Sequence, residues 1–201
     1  MSICQFLRHT DIRTYGHTDI QTMLTVLTYP DKRLRVMAKE IPEASETVRD
    51  LAKEMLETMY AQHGIGLAAP QVGEGIRLIV LDVPLVDPVN PQNRISDAIA
   101  MINPVILKAE GNVQSDEGCL SCPELIVTVD RADRVVVKFQ SLEGKPSRAS
   151  AQGLKAICIQ HEIDHLNGIL LVDKLGRLDR DFYKKKRVRQ ARGEKELAAI
   201  L

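Results

Sequence analysis

The sequence predicts a compact α+β domain, in which mixed and antiparallel strands surround a central helix and a further helix ends the chain. Two segments have the three-to-four-residue apolar spacing of buried helices, and short apolar runs between them are typical of strands. The chain has 201 residues, 44% hydrophobic and 27% charged, which is ordinary for one globular domain with its own core. No internal repeat is visible.

The first helix is expected over residues 45–64. Ser45 or Thr47 can cap its start, and Gly64 ends it. Between them runs an apolar stripe at helical spacing, which would face the core. The stripe comprises Val48, Leu51, Met55, Leu56 and Met59.

Strand-like runs fill the middle of the chain. They cover residues 76–83, 100–107, 126–130 and 134–142. The Pro- and Asn-rich residues 84–98 are predicted to form a loop, and residues 143–145 a hairpin turn.

The second helix is expected over residues 151–168 and ends at Asn167-Gly168. One stripe along it carries apolar side chains and then two histidines, so the histidines should point inward. Its members are Leu154, Ile157, Cys158, His161 and His165. A third helix is expected over roughly 179–192, ending at Gly193.

Three segments follow from this reading. Residues 1–22 are polar and without a clear period, and we expect them to form a poorly ordered extension. Residues 23–176 should form the catalytic domain, and residues 177–201 a basic C-terminal helix and tail. That last segment holds nine Lys/Arg and four Asp/Glu, although the whole chain has no net charge. Such a helix is either a solvated surface or a contact for a polyanion such as RNA.

Composition also limits the cellular setting. No apolar run approaches the 18 or so residues that a membrane span needs, so we expect no membrane contact. The four cysteines are Cys4, Cys119, Cys122 and Cys158, and they do not resemble a disulfide framework in a chain of this length. We therefore expect a reducing, cytoplasmic location.

The stretch HEIDH has the spacing of a helical metal site. His161 and His165 lie one turn apart, so both imidazoles can reach one ion. Glu162 lies beside the first histidine, where a carboxylate can take a proton from water on the metal. Two imidazoles are too few for a stable catalytic site, which uses three protein ligands and leaves one position open.

The third ligand decides between several classes of protein. A zincin-type endopeptidase would take its third ligand from downstream. The position of the third histidine in metzincins is Leu171 here, and the only downstream glutamates are Glu194 and Glu196, both in the charged tail. Upstream, Cys119 offers a thiolate, which is a good ligand for a divalent transition metal. Cys122 permits a rival, closed Cys2His2 structural site in which Glu162 would have no catalytic role.

The stretch GIGLAAPQ, residues 64–71, also fits a dinucleotide fingerprint. That fingerprint follows a strand and opens a helix, whereas here a helix precedes it and Pro70 interrupts any helix after it. A Gly/Ala segment of this kind more plausibly lets an extended ligand approach bare backbone. Gln71 would then present a neutral hydrogen-bond donor close by.

Three motifs therefore stand in order: GIGLAAPQ, EGCLS and QHEIDHL. Together they resemble the peptide deformylase family, the metal-dependent hydrolases that remove the formyl group from the N-terminal methionine of new bacterial proteins. The resemblance runs from about Met23 to the C-terminal helix and includes TYPDKRLR near the start. Residues 1–22 have no counterpart in it.

The resemblance implies a role for each site residue. Cys119, His161 and His165 would bind the metal, and Glu162 would act as general base and then acid. Gln71 and the backbone N–H of Leu120 would form the oxyanion hole, and Gly66 would hydrogen-bond the peptide backbone. The methionine pocket would be lined by Ile65, Leu154, Ile157 and Cys158. The residues that would hold the ligands in place are Glu117, Gln160, Asp164 and Arg131.

The resemblance also implies the cofactor and partners. One divalent ion per chain is expected, Fe2+ in the cell and replaceable by Zn2+, Ni2+ or Co2+, with Cys119 as the residue most exposed to oxidation. The substrates would be formyl-methionine nascent peptides. Because new chains emerge at the ribosome, we hypothesise that the basic residues 180–192 contact ribosomal RNA or protein. No sequence-specific nucleic acid is expected.

Three positions depart from the family pattern. Ser115 stands where an apolar residue is frequent in the methionine pocket. Leu125-Ile126 stands where bacterial relatives often carry a basic residue, and Cys122 where an aliphatic one is usual. The first two bear on side-chain preference and affinity rather than on the reaction, and we interpret Cys122 as a small buried hydrophobe.

Overall fold

The computed structural model describes residues 23–86, 90 and 93–198. The prediction for residues 1–22 lies outside them. The described chain forms one α+β unit of mainly antiparallel strands with a C-terminal helix, and the predicted fold class is confirmed. The helices are α1 Glu46–Ala61, α2 Leu154–Leu166 and α3 Arg177–Ala198. The strands are β1 Gly66–Ala68, β2 Leu78–Asp82, β3 Leu85–Val86, β4 Arg94–Ile95, β5 Ala98–Glu110, β6 Val113–Cys119, β7 Cys122–Arg131, β8 Arg134–Gln140 and β9 Pro146–Gln152.

The main sheet has five strands in the order β1-β2-β5-β8-β9, and all its pairings are antiparallel. β2 is buried on both faces, which explains its uninterrupted apolar sequence. Ile79 and Leu81 pack with α2 on one face, and Leu78 and Val80 pack with α1 on the other. The two strongest helix patterns therefore cover opposite faces of the same sheet.

A separate hairpin of β6 and β7 carries the EGCLS motif. Its register runs from Val113 opposite Arg131 to Cys119 opposite Cys122, and the two-residue turn is Leu120-Ser121. The expected tight bend before a strand is therefore present. Cys119 faces α2, with its Sγ 3.1 Å from His165 Nε2, whereas Leu120 packs against the apolar cluster of α1.

Helix α2 is buried on nearly all sides, unlike a surface helix with one apolar stripe. It packs against β1, β2 and β9. Gly168 follows its end with φ of 72°, and a Cβ there would lie 2.5 Å from the Arg35 carbonyl oxygen. Glycine is therefore required on both conformational and steric grounds.

Helix α3 is longer than predicted. It runs through Gly193 to Ala198 instead of ending at residue 192. Gly193 has no atom within 4 Å of its added Cβ position, so it lies in open space on a helix rather than at a tight cap. Within the described ranges, no helix is long and apolar enough to cross a membrane.

Candidate active site

Three buried side chains converge between α2 and the β6–β7 hairpin. The ligand atoms of Cys119, His161 and His165 all lie within 4.8 Å of one another. Cys119 Sγ is 3.1 Å from His165 Nε2, and the two imidazole rings are 5.0 Å apart in an edge-on arrangement. One thiol and two imidazoles suit a divalent transition metal and leave one coordination position open. The residues therefore fit a catalytic metal ion.

Cys122 does not join this group. In the described part of the chain, the candidate metal-binding set contains Cys119, His161 and His165 and no fourth ligand. The Cys122 side chain instead hydrogen-bonds to that of Cys119, which lowers the pKa of the Cys122 thiol. The closed Cys2His2 alternative therefore has no support from the geometry.

A buried ion-pair chain orients the first histidine. Glu117 Oε2 lies 2.9 Å from His161 Nδ1, and Arg131 binds both Glu117 oxygens at 2.7 and 2.9 Å. Burial alone would raise the pKa of Glu117, but the hydrogen bonds from Arg131 and His161 lower it on balance. The ionised Glu117 can then accept a hydrogen bond from His161 Nδ1–H, which leaves His161 Nε2 able to bind a metal.

Arg131 extends this chain to α2. Its Nη1 lies 2.8 Å from Asp164 Oδ2, one residue before His165. Gln160 hydrogen-bonds to backbone groups. It accepts a hydrogen bond from the Ala132 N–H and donates to the Ala132 and Ala156 carbonyls. These bonds fix the backbone next to Arg131.

Glu162 is 2% exposed, and within the described residues its Oε2 has no hydrogen-bond partner. Burial raises its pKa to about 7, against the opposing effect of His161. Such a carboxyl can hold or release a proton near neutrality, as general acid–base chemistry requires. His165 behaves oppositely, because burial and His161 lower its pKa and keep it neutral and able to bind a cation.

Gly66 makes room for this carboxyl. A Cβ at Gly66 would lie 2.4 Å from Glu162 Oε1 and 2.7 Å from Cys158 Sγ. No real side chain fits there, so β1 can pack against α2 only with glycine at this position. The GIGLAAPQ motif therefore has a structural role at the site that the sequence analysis did not foresee.

Gln71 is held in a fixed orientation. Its Oε1 accepts a hydrogen bond from the Ala68 N–H at 2.8 Å, and its Nε2 donates to Ser121 Oγ at 3.2 Å. Nε2 also lies 3.7 Å from Cys119 Sγ, so the amide donor faces the candidate metal site. Ser121 is fully buried, and the sequence did not identify it as a site residue. Its place two residues after Cys119, within the EGCLS motif, was the signal that could have done so.

The residues implied for the methionine pocket come together around β1 and α2. Ile65, Ile157 and Cys158 belong to one apolar cluster, and the half-buried Leu154 packs against it. Cys158 Sγ also donates to the Ile65 carbonyl at 3.6 Å. Leu120 is half-buried at the hairpin tip, close to Gly64.

Comparisons with known proteins agree with this geometry. The family model for polypeptide deformylase matches residues 23–181. A peptide deformylase from Alkalilimnicola ehrlichii is 43% identical over 168 residues, covering 84% of this chain and 88% of that protein. A crystal structure of a peptide deformylase from Legionella pneumophila is similar with a TM-score of 0.74 and 39% identity, covering 87% of this chain and 98% of that one.

A third relative was crystallised with a peptide. The Met-Ala-Ser-bound class I type b peptide deformylase from Acinetobacter baumannii has a TM-score of 0.69 and 35% identity, covering 77% of this chain and 99% of its own. The family match includes all three motifs of the sequence analysis. The chain belongs to the polypeptide deformylase family, the metal-dependent hydrolases that remove the N-formyl group from nascent peptides.

Proposed function

We propose that Cys119, His161 and His165 bind one divalent ion, and that the residues around it remove the formyl group from N-terminal formyl-methionine. When bound, the ion supplies Lewis-acid chemistry, which lowers the pKa of water and polarises a carbonyl. The mixed sulfur and nitrogen donors suit Fe2+, which we expect in the cell, and also Zn2+, Ni2+ or Co2+ in purified protein. The enzyme would act in the cytoplasm, where new chains are made.

Glu162 is the proton carrier in this proposal. It takes a proton from the attacking water and delivers it to the amine that leaves. Its pKa of about 7 supports both halves of this role, because the carboxyl changes protonation state near working pH. Burial keeps the carboxyl away from bulk water, so the proton is passed on rather than exchanged.

Gln71 Nε2 and the Leu120 backbone N–H stabilise the negative oxygen that forms on the formyl carbon. The Ala68 N–H fixes which end of the Gln71 amide is the donor, since it binds the amide oxygen. Loss of one such donor typically costs about 10²–10³ in rate.

The peptide would lie along β1. This strand is at one end of the five-stranded sheet, so an extended substrate can add to it through Gly66. The methionine side chain would then enter the apolar cluster of Ile65, Leu154, Ile157 and Cys158. The related enzyme that binds Met-Ala-Ser supports a peptide of this kind.

The observation that carries the proposal is the three-ligand group next to the buried Glu162, whose Oε2 has no hydrogen-bond partner among the described residues. The test is anaerobic formate release from formyl-Met-Ala-Ser by Fe2+- or Ni2+-loaded protein, beside acetyl-Met-Ala-Ser and an internal peptide. We expect fast, formyl-selective release by the wild type. Glu162→Ala should keep its metal and lose nearly all turnover.

Other outcomes contradict the proposal in distinct ways. A fully active Glu162→Ala variant would exclude the proton-carrier role. Formate-free cleavage of the internal peptide would indicate an endopeptidase. A metal-loaded wild type that releases no formate would indicate a structural metal site.

We also propose that one face of α3 contacts the ribosome. Four basic side chains are exposed along it: Lys184, Lys185, Arg189 and Arg192. Arg187, by contrast, is buried and donates a hydrogen bond to the Tyr29 carbonyl. The exposed face alone can therefore meet a polyanion such as ribosomal RNA, and the contact should weaken with salt.

A charge reversal tests this contact without removing the helix. The triple variant Lys184→Glu, Lys185→Glu, Arg189→Glu should lose co-sedimentation with ribosomes and keep its activity on free formyl peptide. The matched control reverses Lys108, Lys138 and Arg148, which are exposed on neighbouring strands β5, β8 and β9. Equal ribosome binding by both triple variants would refute the α3 contact.

A further inference from the structure

Cys122 places a second thiol directly beside a proposed metal ligand. It pairs with Cys119 across the two-residue turn Leu120-Ser121, after a register shift that separates this pair from the Gly118–Ile126 pair. Residues directly opposite in antiparallel strands have Cα atoms about 4.5–5.5 Å apart, which lies within the usual disulfide range of about 4.4–6.8 Å. The two side chains also hydrogen-bond to each other, so both point to the same side of the hairpin.

Neither the metal group nor the proposed reaction uses this thiol. Cys122 lies outside the three-ligand group and is almost fully buried, in a cluster with Val127, Val129 and Leu171. A buried aliphatic side chain would fill that space equally well. The distinct property that cysteine adds is its sulfur chemistry.

We propose that Cys119 and Cys122 form a dithiol modification site, which a small peroxide such as hydrogen peroxide converts to a disulfide. In the first step Cys119 sulfur attacks one peroxide oxygen. An S–O bond forms, the O–O bond breaks, and the departing hydroxide takes the proton that the Cys119 thiol gives up, becoming water. Cys119 is then a sulfenic acid.

In the second step Cys122 sulfur attacks Cys119 sulfur. An S–S bond forms, the S–O bond breaks, and the hydroxide leaves as water with the Cys122 proton. The two thiols have together supplied two electrons, and the peroxide has become two molecules of water. The fixed position of Cys122 makes this step intramolecular, which favours it strongly over further attack by peroxide.

The identity of residue 122 then decides whether oxidation is reversible. A disulfide returns to two thiols with a dithiol reductant, whereas sulfinic and sulfonic acids do not. Loss of metal on oxidation rests on the proposed function, because it needs Cys119 to be a ligand. Formation of the disulfide rests on the hairpin geometry alone.

The test uses metal-free full-length protein. Its result therefore does not depend on whether Cys119 is a metal ligand. Wild type, Cys122→Val and Cys158→Ala are treated with hydrogen peroxide, blocked with a thiol reagent and digested for peptide mass spectrometry. Cys158 is the matched control, because it is also buried but packs in a different cluster against Ile65. Mapping separates a Cys119–Cys122 bridge from any bridge to Cys4.

We expect the wild type and Cys158→Ala to form a Cys119–Cys122 bridge that dithiothreitol removes completely. Cys122→Val should instead gain two or three oxygens on Cys119 and retain them after reduction. Irreversible oxidation of Cys119 in the wild type, with Cys122 still free, would overturn the proposal. So would identical product distributions for the wild type and Cys122→Val.

The consequence for metal is measured separately on the same samples. After oxidation and reduction, the wild type should bind metal again to its original content, and Cys122→Val should not. If the bridge forms and the oxidised wild type still binds metal normally, the dithiol site stands and the assignment of Cys119 as a ligand is wrong.

Discussion

Burial disfavours the charged form of the Glu162 side chain more than the nearby His161 and Arg131 stabilise it. Glu162 is 2% exposed, and within the described residues Oε2 accepts no hydrogen bond. Its pKa of about 7 therefore lies above its ordinary value near 4.5. The folded protein binds this proton more tightly than the unfolded chain does, so stability falls as pH rises from about 4.5 to 7.

Glutamine at this position should remove that pH-dependent cost. We expect metal-free Glu162→Gln to be more stable than metal-free wild type near pH 8, by on the order of 3 kcal/mol at most. Near pH 4 the difference should vanish, because Glu162 is then protonated in both states of the wild type. Both proteins keep Glu117, Arg131 and Asp164. Burial lowers the pKa of His161, but Glu117 and Glu162 raise it on balance, so the difference between the two proteins also contains a contribution from His161.

Chemical denaturation of both proteins across this pH range measures the effect. Equal stability of the two proteins near pH 8 would show that the carboxyl is charged and compensated in the fold. That result would remove the basis for its proton-carrier role at neutral pH.

Gly66 should be as sensitive as a catalytic residue, although it has no side chain. The Cβ of Gly66→Ala would overlap Glu162 Oε1 at 2.4 Å, so β1 or the carboxylate must move. We expect kcat/KM to fall by about 10² or more, as misplacement by about 1 Å can do. Formate release by Gly66→Ala and Gly75→Ala makes the comparison.

Gly75→Ala is the matched control, since no atom lies within 4 Å of its added Cβ. It should retain nearly full activity. If Gly66→Ala were equally active, the close approach of β1 to Glu162 would not matter for catalysis.

At the residue scale, the sequence predicts which side chains share one face of a helix, because spacing along the chain determines that. The one-turn separation of His161 and His165 placed both on one face, and the structure does bring Cys119 to them. The hydrogen bond between Gln71 and Ser121 and the contact of Gly66 with Glu162 could not be predicted, because each joins residues distant in sequence. Spacing within one helix carries no information about a neighbour across the core.

At the scale of elements, the β6–β7 hairpin is joined to α2 by buried charges. Arg131 on β7 pairs with Glu117 on β6 and with Asp164 on α2. Removing one partner of a buried pair typically costs about 3–5 kcal/mol, because the other charge is left uncompensated. The same change would release His161 from its orientation.

We therefore expect Arg131→Ala to lose about 3–5 kcal/mol of stability and about 10–100-fold in metal affinity. Arg134→Ala is the control, because Arg134 is exposed and lies 3.8 Å from Asp133. It should change stability by less than about 0.5 kcal/mol. Urea denaturation and competitive metal titration give the two quantities, and equal effects of both substitutions would contradict a special role for the buried pair.

Helices were predicted more completely than strands. Ser45 caps α1 as expected, with Val48 N–H donating to its side chain. β1, β6 and β9 were missed, and the predicted loop 84–98 contains β3 and β4. β6 and β9 have exposed polar residues at alternate positions and few large apolar ones, so their pairing depends on neighbouring strands rather than on their own sequence.

At the scale of the whole molecule, one side of α3 packs on the domain and the other side is exposed. Its inner side packs on the body through Tyr183, whose ring stacks with Tyr29 at 6.0 Å and whose hydroxyl donates to the Pro123 carbonyl at 3.0 Å. Arg187 donates to the Tyr29 carbonyl at 3.2 Å. The basic sequence of this helix suggested a solvated surface or a contact for a polyanion, but not a docked inner side, because composition does not show which positions dock.

The adjacent aromatic residues Phe182 and Tyr183 lie on these two different sides of α3. Tyr183 is 6% exposed and Phe182 is 75% exposed. We expect Tyr183→Ala to lose about 3 kcal/mol or more, since it leaves a cavity beside Leu171 and Val172 and removes a hydrogen bond. Phe182→Ala should change stability by less than about 0.5 kcal/mol. Thermal and urea unfolding of both variants measure the difference.

Equal stability of the two variants would mean that α3 is not docked in solution as the structure has it. The result also determines how ribosome binding must be tested. If Tyr183 holds α3 to the body, deletion of the helix uncovers the apolar cluster around Leu171 and alters the catalytic domain at the same time. Substitutions confined to the exposed lysines and arginines then remain the sound way to separate binding from folding.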